Sequence, residues 1–185
     1  MKELTFGRYD FYEEGCFDEL VWLVIAEEED RMLLLAKEVW DWMSFSWGTY
    51  SPWEDSRPHL LLEILYDKAF TQEERRQILE VTVKTRNGAY STQSRLSQEH
   101  LFLLSCEEVE QYLPKTKDRL GIPTVHAKCQ GAFVSDSSIA CCWWLRDTGY
   151  SPMYNAEVMP NGQIDPEGDE HEEESGVRPA MWIRK

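Results

Sequence analysis

The sequence predicts an α+β domain built from antiparallel sheets and a few short helices. The first third of the chain alternates apolar and polar residues with the two-residue period of strands. The middle carries two helix-start signatures, Thr71 with Glu74 and Ser105 with Glu108. Near the end, an Asn-Gly dipeptide at 161–162 separates two apolar runs, which is typical of a β-hairpin. Strands, then helices, then strands again favour this class over parallel βαβ winding.

Length and composition indicate one folded domain over residues 1–185. A domain of this size buries roughly 70% of the surface that its unfolded chain exposes. Hydrophobic residues make up 42% of the sequence and eight residues are tryptophan, so the chain can form a core. No internal repeat or linker divides the sequence.

The amino-terminal part is expected to open with a three-stranded meander. Its strands are predicted at 4–9, 19–26 and 31–37, the last two joined by an acidic turn at 27–30. Residues 38–58 are rich in Trp, Ser, Gly and Pro without a clean period. This composition indicates a long loop anchored by aromatic side chains.

The middle of the chain is expected to contain three short helices and two strands. The capping boxes mark where the second and third helices begin. Pro114 cannot continue a helix and therefore ends the third one. The helices are predicted over 59–70, 71–79 and 105–113, and the strands over 81–85 and 100–105 around a polar loop at 86–99.

The last fifty residues are expected to be mainly strands. These are predicted at 138–146, in a hairpin over 155–164, and at 176–183. The acidic run at 165–176 is low in complexity and is interpreted as a loop. Pro179 cannot donate to a strand ladder, so its segment must meet a sheet edge or a bulge.

The charge balance excludes two classes of partner. The chain has 19 basic and 34 acidic residues, a formal net charge of −15. A field of this sign repels phosphate backbones and anionic lipids, so we expect no nucleic acid and no membrane as partner. A protein or small ligand of basic or polar character fits instead. The sequence begins without an apolar leader segment, and we therefore expect a cytoplasmic protein.

The stretch CCWWLRDTGY at 141–150 predicts a central strand. Side chains alternate along a strand, so Trp143 and Trp144 point to opposite faces and both faces need cover. Both tryptophans are therefore predicted to be structural. Arg146 lies at the end of this strand and Arg178 in the last one; a buried guanidinium needs a carboxylate or several carbonyl oxygens. We expect both arginines to make structural contacts rather than to bind ligand.

The cysteines give little support for catalysis. Five cysteines without CxxC spacing indicate neither a disulfide framework nor a zinc site, and free, mostly buried thiols are expected. Cys106 lies in the first turn of a predicted helix, where the helix dipole lowers a thiol pKa. Glu107 and Glu108 oppose that effect, because their charges disfavour the thiolate. We assign no catalytic residue and no cofactor.

The four histidines share no metal-binding or catalytic spacing. His171 has acidic neighbours, Asp165, Asp169 and Glu172, that could complete a divalent cation site. Acidic runs are more often solvated loops, and this interpretation is favoured. We therefore expect no metal.

The segment DTGYSPMYN at 147–155 is the best candidate for ligand binding. Tyrosines beside small polar residues are typical of binding loops, because a tyrosine ring offers a large rigid contact area at low entropic cost. A plain connecting turn is the alternative interpretation. The candidate ligand-binding residues are Tyr150, Met153, Tyr154, Asn155 and Glu157.

Several motifs occur together along almost the whole chain. They include FGRY at 6–9, CWWLRDTG at 142–149 and GVRPAMWI at 176–183. With these motifs the sequence resembles a family of bacterial and phage domains of unknown function. That family looks like a branch of the C-type-lectin-like fold and is similar to the formylglycine-generating enzymes and to the variable proteins of diversity-generating retroelements. The resemblance implies a compact α+β domain whose carboxyl-terminal strands present a ligand face.

The resemblance does not imply an enzyme. The active cysteines of the formylglycine-generating group lie a few residues apart, whereas Cys141 and Cys142 are adjacent here. The calcium-binding signatures of sugar-binding lectins are also missing from the sequence. The leading hypothesis is a non-enzymatic binding module that displays residues 148–157 and 165–175. The alternatives are a cysteine-dependent enzyme using Cys106 or Cys142, and a purely structural role.

Overall fold

A mixed α+β architecture of mainly antiparallel sheets is seen in the computed structural model, which describes residues 1–12, 14–48, 50–134 and 138–185. The strands are β1 (Lys2–Tyr9), β2 (Asp18–Glu27), β3 (Arg31–Ala36), β4 (Asp41–Ser44), β5 (Val81–Arg86), β6 (Ser94–Glu99), β7 (Trp143–Thr148), β8 (Tyr154–Val158), β9 (Ile164–Glu170), β10 (Glu174–Val177) and β11 (Ala180–Arg184). The helices are α1 (Arg57–Lys68), α2 (Gln72–Gln77), α3 (Cys106–Tyr112) and α4 (Val125–Cys129). The predicted class is confirmed.

The first sheet has the strand order β1-β2-β3-β11. Its first three strands form the predicted meander, and β11 adds to β3 with Trp182 opposite Leu33. Leu33, Leu34 and Leu35 are all buried, so both faces of β3 are covered.

The second sheet has the strand order β4-β10-β7-β8-β9. Strand β7 lies at its centre, and Trp143 and Trp144 are fully buried on its two faces, as predicted. Strand β10 pairs antiparallel with β4 and parallel with β7. Strand β4 lies inside the predicted loop 38–58, and that part of the prediction is wrong because tertiary pairing with β10 orders a segment without a strand period.

The helix starts agree with the capping signals. Thr71 with Glu74 and Ser105 with Glu108 form complete capping boxes at α2 and α3. Helix α1 begins at Arg57, two residues before the predicted start, because Ser56 accepts a hydrogen bond from the backbone N–H of His59. Helix α4 was not predicted.

The partner strand of β5 lies earlier than expected. Strand β6 covers Ser94–Glu99, inside the predicted polar loop, and pairs with β5 in a separate two-stranded sheet. The predicted strand at 100–105 is wrong. Its apolar residues are buried, but among the described residues this segment pairs with a strand only through the isolated bridge between Phe102 and Ala180. Burial alone therefore explains its hydrophobic sequence.

The acidic run near the end is also structured. The predicted hairpin is confirmed, with the backbone N–H of Met159 bonded to the carbonyl oxygen of Gln163. Residues 164–170 continue as edge strand β9, so the predicted acidic loop is wrong over this part. Charged side chains suit an edge strand because they discourage further strand pairing.

The two predicted structural arginines are both buried. Arg146 pairs with the carboxylate of Glu108. Arg178 lies with its guanidinium carbon 5.2 Å from the ring centre of Trp143, and desolvation lowers the pKa of this guanidinium. The guanidinium of Arg178 donates to the carbonyl oxygens of Ala36, Lys37, Arg119 and Leu120. Both guanidinium groups are therefore held by acceptors inside the fold.

Among the helices of the described residues, none combines the length and the apolar character needed to cross a bilayer.

Candidate functional site

The segment between β7 and β8 presents part of the predicted ligand-binding set to solvent. Tyr150 is 68% exposed, and Met153 and Tyr154 are half-buried. The rings of Tyr150 and Tyr154 meet edge to face with their centres 6.3 Å apart. Tyr150 and Met153 lie between the two strands, and Tyr154 is the first residue of β8.

Asn155 and Glu157 do not belong to this surface. Both are buried, because β8 lies between β7 and β9 and its side chains are covered on both faces. The Asn155 amide donates to the carbonyl oxygen of Leu145, and its oxygen lies 3.1 Å from Nε2 of His171. The expectation that the displayed surface 148–157 includes these two side chains is therefore wrong; their contacts are internal.

Glu157 is a buried carboxyl group in the middle of the second sheet. The hydroxyl of Ser175 donates to its Oε2 at 3.0 Å. Burial raises the pKa of Glu157 to about 7, and the nearby charges of Asp169 and Asp165 act in the same direction. This carboxyl group therefore titrates near neutral pH.

Three chain segments meet around Tyr150 through backbone hydrogen bonds. The N–H of Tyr150 donates to the carbonyl of Glu167 in β9 at 2.7 Å. The N–H of Ala89, from the β5–β6 connection, donates to the carbonyl of Gly149 at 2.8 Å. Gly149 approaches β9 so closely that an added Cβ would lie 2.1 Å from the Glu167 oxygen. A glycine is therefore required for this contact.

A third tyrosine, Tyr90, lies where these segments meet, and the sequence analysis did not identify it as a candidate. Tyr90 is 76% exposed, and its hydroxyl donates to Oε1 of Glu167. The hydroxyl of Tyr154 donates to Oε1 of Glu170 at 2.6 Å. Each of these hydrogen bonds raises the pKa of its tyrosine. We call the five residues Tyr90, Tyr150, Tyr154, Glu167 and Glu170 the tyrosine patch.

The tyrosine patch combines two chemical features. Its rings offer aromatic faces and edges to solvent, and its two carboxylates are held beside them by the tyrosine hydroxyls. Aromatic faces attract cations, and carboxylates pair with guanidinium and ammonium groups. In the sequence, Tyr90 is one tyrosine in the polar, glycine-containing loop 86–99. Nothing in that pattern shows that the loop contacts residue 149.

A family profile matches residues 29–185 of the chain. The profile describes a domain of unknown function, DUF6273. The chain belongs to the DUF6273 family. The match includes the whole tyrosine patch and leaves β1 and β2 outside it. Searches among curated proteins and among solved structures found no similar chain.

In this DUF6273 domain, His171 does not form the cation site considered from the sequence. The residue is buried, and its Nδ1 lies 3.4 Å from the hydroxyl of Ser46. Its backbone bonds to Met153 and to Ser46. Within the described ranges, no three metal-binding side chains are gathered.

The cysteines of the DUF6273 domain give no support to the alternative of a thiol enzyme. Cys106 and Cys141 are buried, and Cys142 is half-buried. Burial raises the pKa of the Cys106 thiol far above its ordinary value, and raises those of Cys141 and Cys142 to about 12. Because the thiolate is the nucleophile, these raised pKa values disfavour reaction of the three thiols near neutral pH.

Proposed function

We propose that the protein is a non-enzymatic binding module whose tyrosine patch captures a polypeptide segment bearing arginine or lysine side chains. One observation carries the proposal. Two largely exposed tyrosines, Tyr90 and Tyr150, come from separate segments and both bond to Glu167: the Tyr90 hydroxyl donates to the carboxylate, and the Tyr150 backbone N–H donates to the main-chain carbonyl. Such a surface offers a cationic side chain both an aromatic ring and a negative charge.

Charge complementarity supports a basic partner. The net charge of −15 favours encounter with cationic surfaces and disfavours nucleic acid and anionic membranes. The hydrogen bonds of Tyr90 and Tyr154 keep Glu167 and Glu170 close to the rings. A guanidinium that stacks on a tyrosine ring can therefore also reach a carboxylate oxygen.

Pre-organisation supports binding by this surface. The backbone bonds from Tyr150 to Glu167 and from Ala89 to Gly149 hold the segments before a partner arrives. A fixed surface loses less conformational entropy on association than a mobile loop does. More of the contact free energy of the patch therefore remains as binding affinity.

We further propose that the domain is a divergent C-type-lectin-like fold, and that it acts as a variable protein of a diversity-generating retroelement in the cytoplasm of a bacterium or in a phage. The antiparallel α+β architecture is compatible with this relationship, and the exposed tyrosines follow β7 in the carboxyl-terminal part of the chain. The genomic test is a reverse transcriptase gene nearby together with a near-copy of the sequence that encodes the patch.

The binding test uses a defined peptide probe. We would immobilise a ten-residue peptide that alternates glycine with arginine, and a matched peptide in which citrulline replaces arginine. We expect the native protein to bind the arginine peptide and to bind the neutral citrulline peptide at least about tenfold more weakly. Equal binding of the two peptides, or no binding of either, would overturn the proposal.

Tyrosine variants separate patch binding from general charge attraction. Tyr90→Ala combined with Tyr150→Ala leaves the net charge unchanged, and we expect it to weaken peptide binding about tenfold or more. Phe17→Ala is the matched control, since this ring is 58% exposed on the β1–β2 connection. An unchanged Kd for the double variant, with a native melting temperature, would show that the patch does not bind the peptide.

A further inference from the structure

We infer that the protein has a second binding site, for a small organic ammonium ion, in an aromatic cavity beside the β1–β2 connection. The cavity has a volume of about 300 Å³. Its residues come from that connection, from the start of β2, from the segment between β3 and β4, and from the start of α4. We call it the aromatic cavity; the residues that carry the argument are Phe11, Tyr12, Trp40, Asp18, Glu19 and Glu38.

The walls of the aromatic cavity are a continuous set of rings. Phe11 meets Trp40 edge to face at 6.3 Å between ring centres and lies 5.2 Å from the ring of His126. Tyr12 meets the same histidine ring edge to face at 5.6 Å. Tyr12 is 42% exposed, whereas Trp40 is buried, so the rings extend from the surface into the fold. A ligand that enters would contact several aromatic side chains at once.

Asp10 holds the loop that carries Phe11 and Tyr12. Its Oδ1 accepts hydrogen bonds from the backbone N–H groups of Tyr12 and Glu14, and its Oδ2 accepts one from Gly15 at 2.6 Å. An aspartate that binds several backbone donors of its own loop fixes the course of that loop. The backbone that carries Tyr12 is therefore held in place without a ligand.

The charge of the aromatic cavity is one-sided. Asp18, Glu19 and Glu38 line it and are exposed, and among the described residues none of the three forms an ion pair. No lysine or arginine is found in the described lining of the cavity. The Nε2 atom of His126 lies 3.6 Å from Oδ1 of Asp41, a residue outside this lining. The cavity therefore offers negative charge without an internal cation.

Aromatic walls together with unpaired carboxylates fit an organic ammonium ion. Cations bind over aromatic faces, and quaternary ammonium groups are recognised in this way by rings of aromatic residues. The volume suits a small molecule at the lower end of known ligand sites. A hard metal cation would need several oxygen ligands at close range, which rings cannot supply.

This site is independent of the proposed function. It shares no residue with the tyrosine patch, and Phe11, Tyr12, Asp18 and Glu19 precede the part of the chain that matches the family profile. Loss of peptide binding at the tyrosine patch and loss of ammonium binding in the aromatic cavity can therefore be observed separately.

The test uses small probes of known charge. We would titrate the native protein with choline, with n-butylamine and with 3,3-dimethyl-1-butanol, an uncharged analogue of choline, and follow the heat of binding. We expect choline to bind at least about tenfold more tightly than the uncharged analogue. Comparison with butylamine separates quaternary from primary ammonium ligands. Equal affinity for choline and its uncharged analogue, or no binding of either ammonium probe, would overturn the inference.

Two variants locate the binding event. Asp18→Asn, Glu19→Gln and Glu38→Gln combined should weaken choline binding by about tenfold or more, because the probe loses its counter-charges. The matched control combines Asp30→Asn, Glu80→Gln and Glu110→Gln. These three residues are exposed, so the control removes the same amount of charge at other places on the surface. Tyr12→Leu keeps an apolar side chain but removes the ring and should also weaken choline binding. Equal Kd values for the two triple variants would contradict the site.

Discussion

Arg146 and Glu108 form a bidentate ion pair that joins the central strand β7 to helix α3. Nη1 of Arg146 lies 2.5 Å from Oε2 of Glu108, and Nη2 lies 2.8 Å from Oε1. The same carboxylate accepts a hydrogen bond from the backbone N–H of Ser105, and so completes the capping box of α3. One side chain therefore both caps a helix and neutralises a buried guanidinium.

We predict that Glu108→Ala destabilises the protein by roughly 3–5 kcal/mol, because Arg146 would be left buried without its anion. Denaturant unfolding at neutral pH measures the change. Glu107→Gln is the control: its side chain is 79% exposed and lies 3.8 Å from Lys84, so we expect a change below about 0.5 kcal/mol. Similar small effects for both variants would show that the buried pair contributes little.

The buried carboxyl group of Glu157 makes stability depend on pH. Burial raises its pKa from 4.5 to about 7 in the folded state. Between these two values the folded state binds more protons than the unfolded state, so this group lowers stability as pH rises. The full penalty is reached above pH 7 and is roughly 3 kcal/mol.

Glu157→Gln should remove that penalty. The amide is uncharged at every pH, and its oxygen can still accept the hydrogen bond of Ser175. We therefore predict that the variant is more stable than the native protein at pH 8 by up to roughly 3 kcal/mol, and about equally stable at pH 4. Urea unfolding at both pH values measures this, with the exposed Glu173→Gln as control. A constant difference between pH 4 and pH 8 would contradict the titration of Glu157.

The thiols should differ strongly in reactivity. We predict that Cys16 and Cys129, which are exposed, react with iodoacetamide at the rate of a model thiol. Cys142 should react slowly because burial raises its pKa to about 12, and Cys106 and Cys141 should react only after unfolding. Mass spectrometry of timed samples from the native protein assigns each site. Rapid alkylation of Cys106 or Cys142 would revive the enzyme hypothesis.

Local signals were the reliable part of the sequence prediction. The capping boxes at Thr71 and Ser105 each depend on residues within one helical turn, so they could be recognised without knowing the fold. The paired tryptophans of β7 predicted a strand covered on both faces, and the structure confirms this. These features need no information from distant parts of the chain.

The errors have a common physical cause. Strands β4, β6 and β9 have weak or polar patterns, and each is ordered by a partner strand that the sequence does not reveal. The same dependence explains the error at Asn155, since its burial follows from the pairing of β8 with β9. Tyr90 was missed because the contact between Ala89 and Gly149 joins residues that are far apart in the sequence.

The arrangement of β10 and β11 affects how a growing chain can mature on the ribosome. Strand β10 fills the space between β4 and β7, and β11 completes the first sheet beside β3. A nascent chain that has emerged only as far as residue 173 lacks both strands. Contacts between such distant segments slow folding. We therefore expect the tryptophan-rich interior to stay unprotected until β10 and β11 have emerged from the ribosome, and chaperones would have access to it until then.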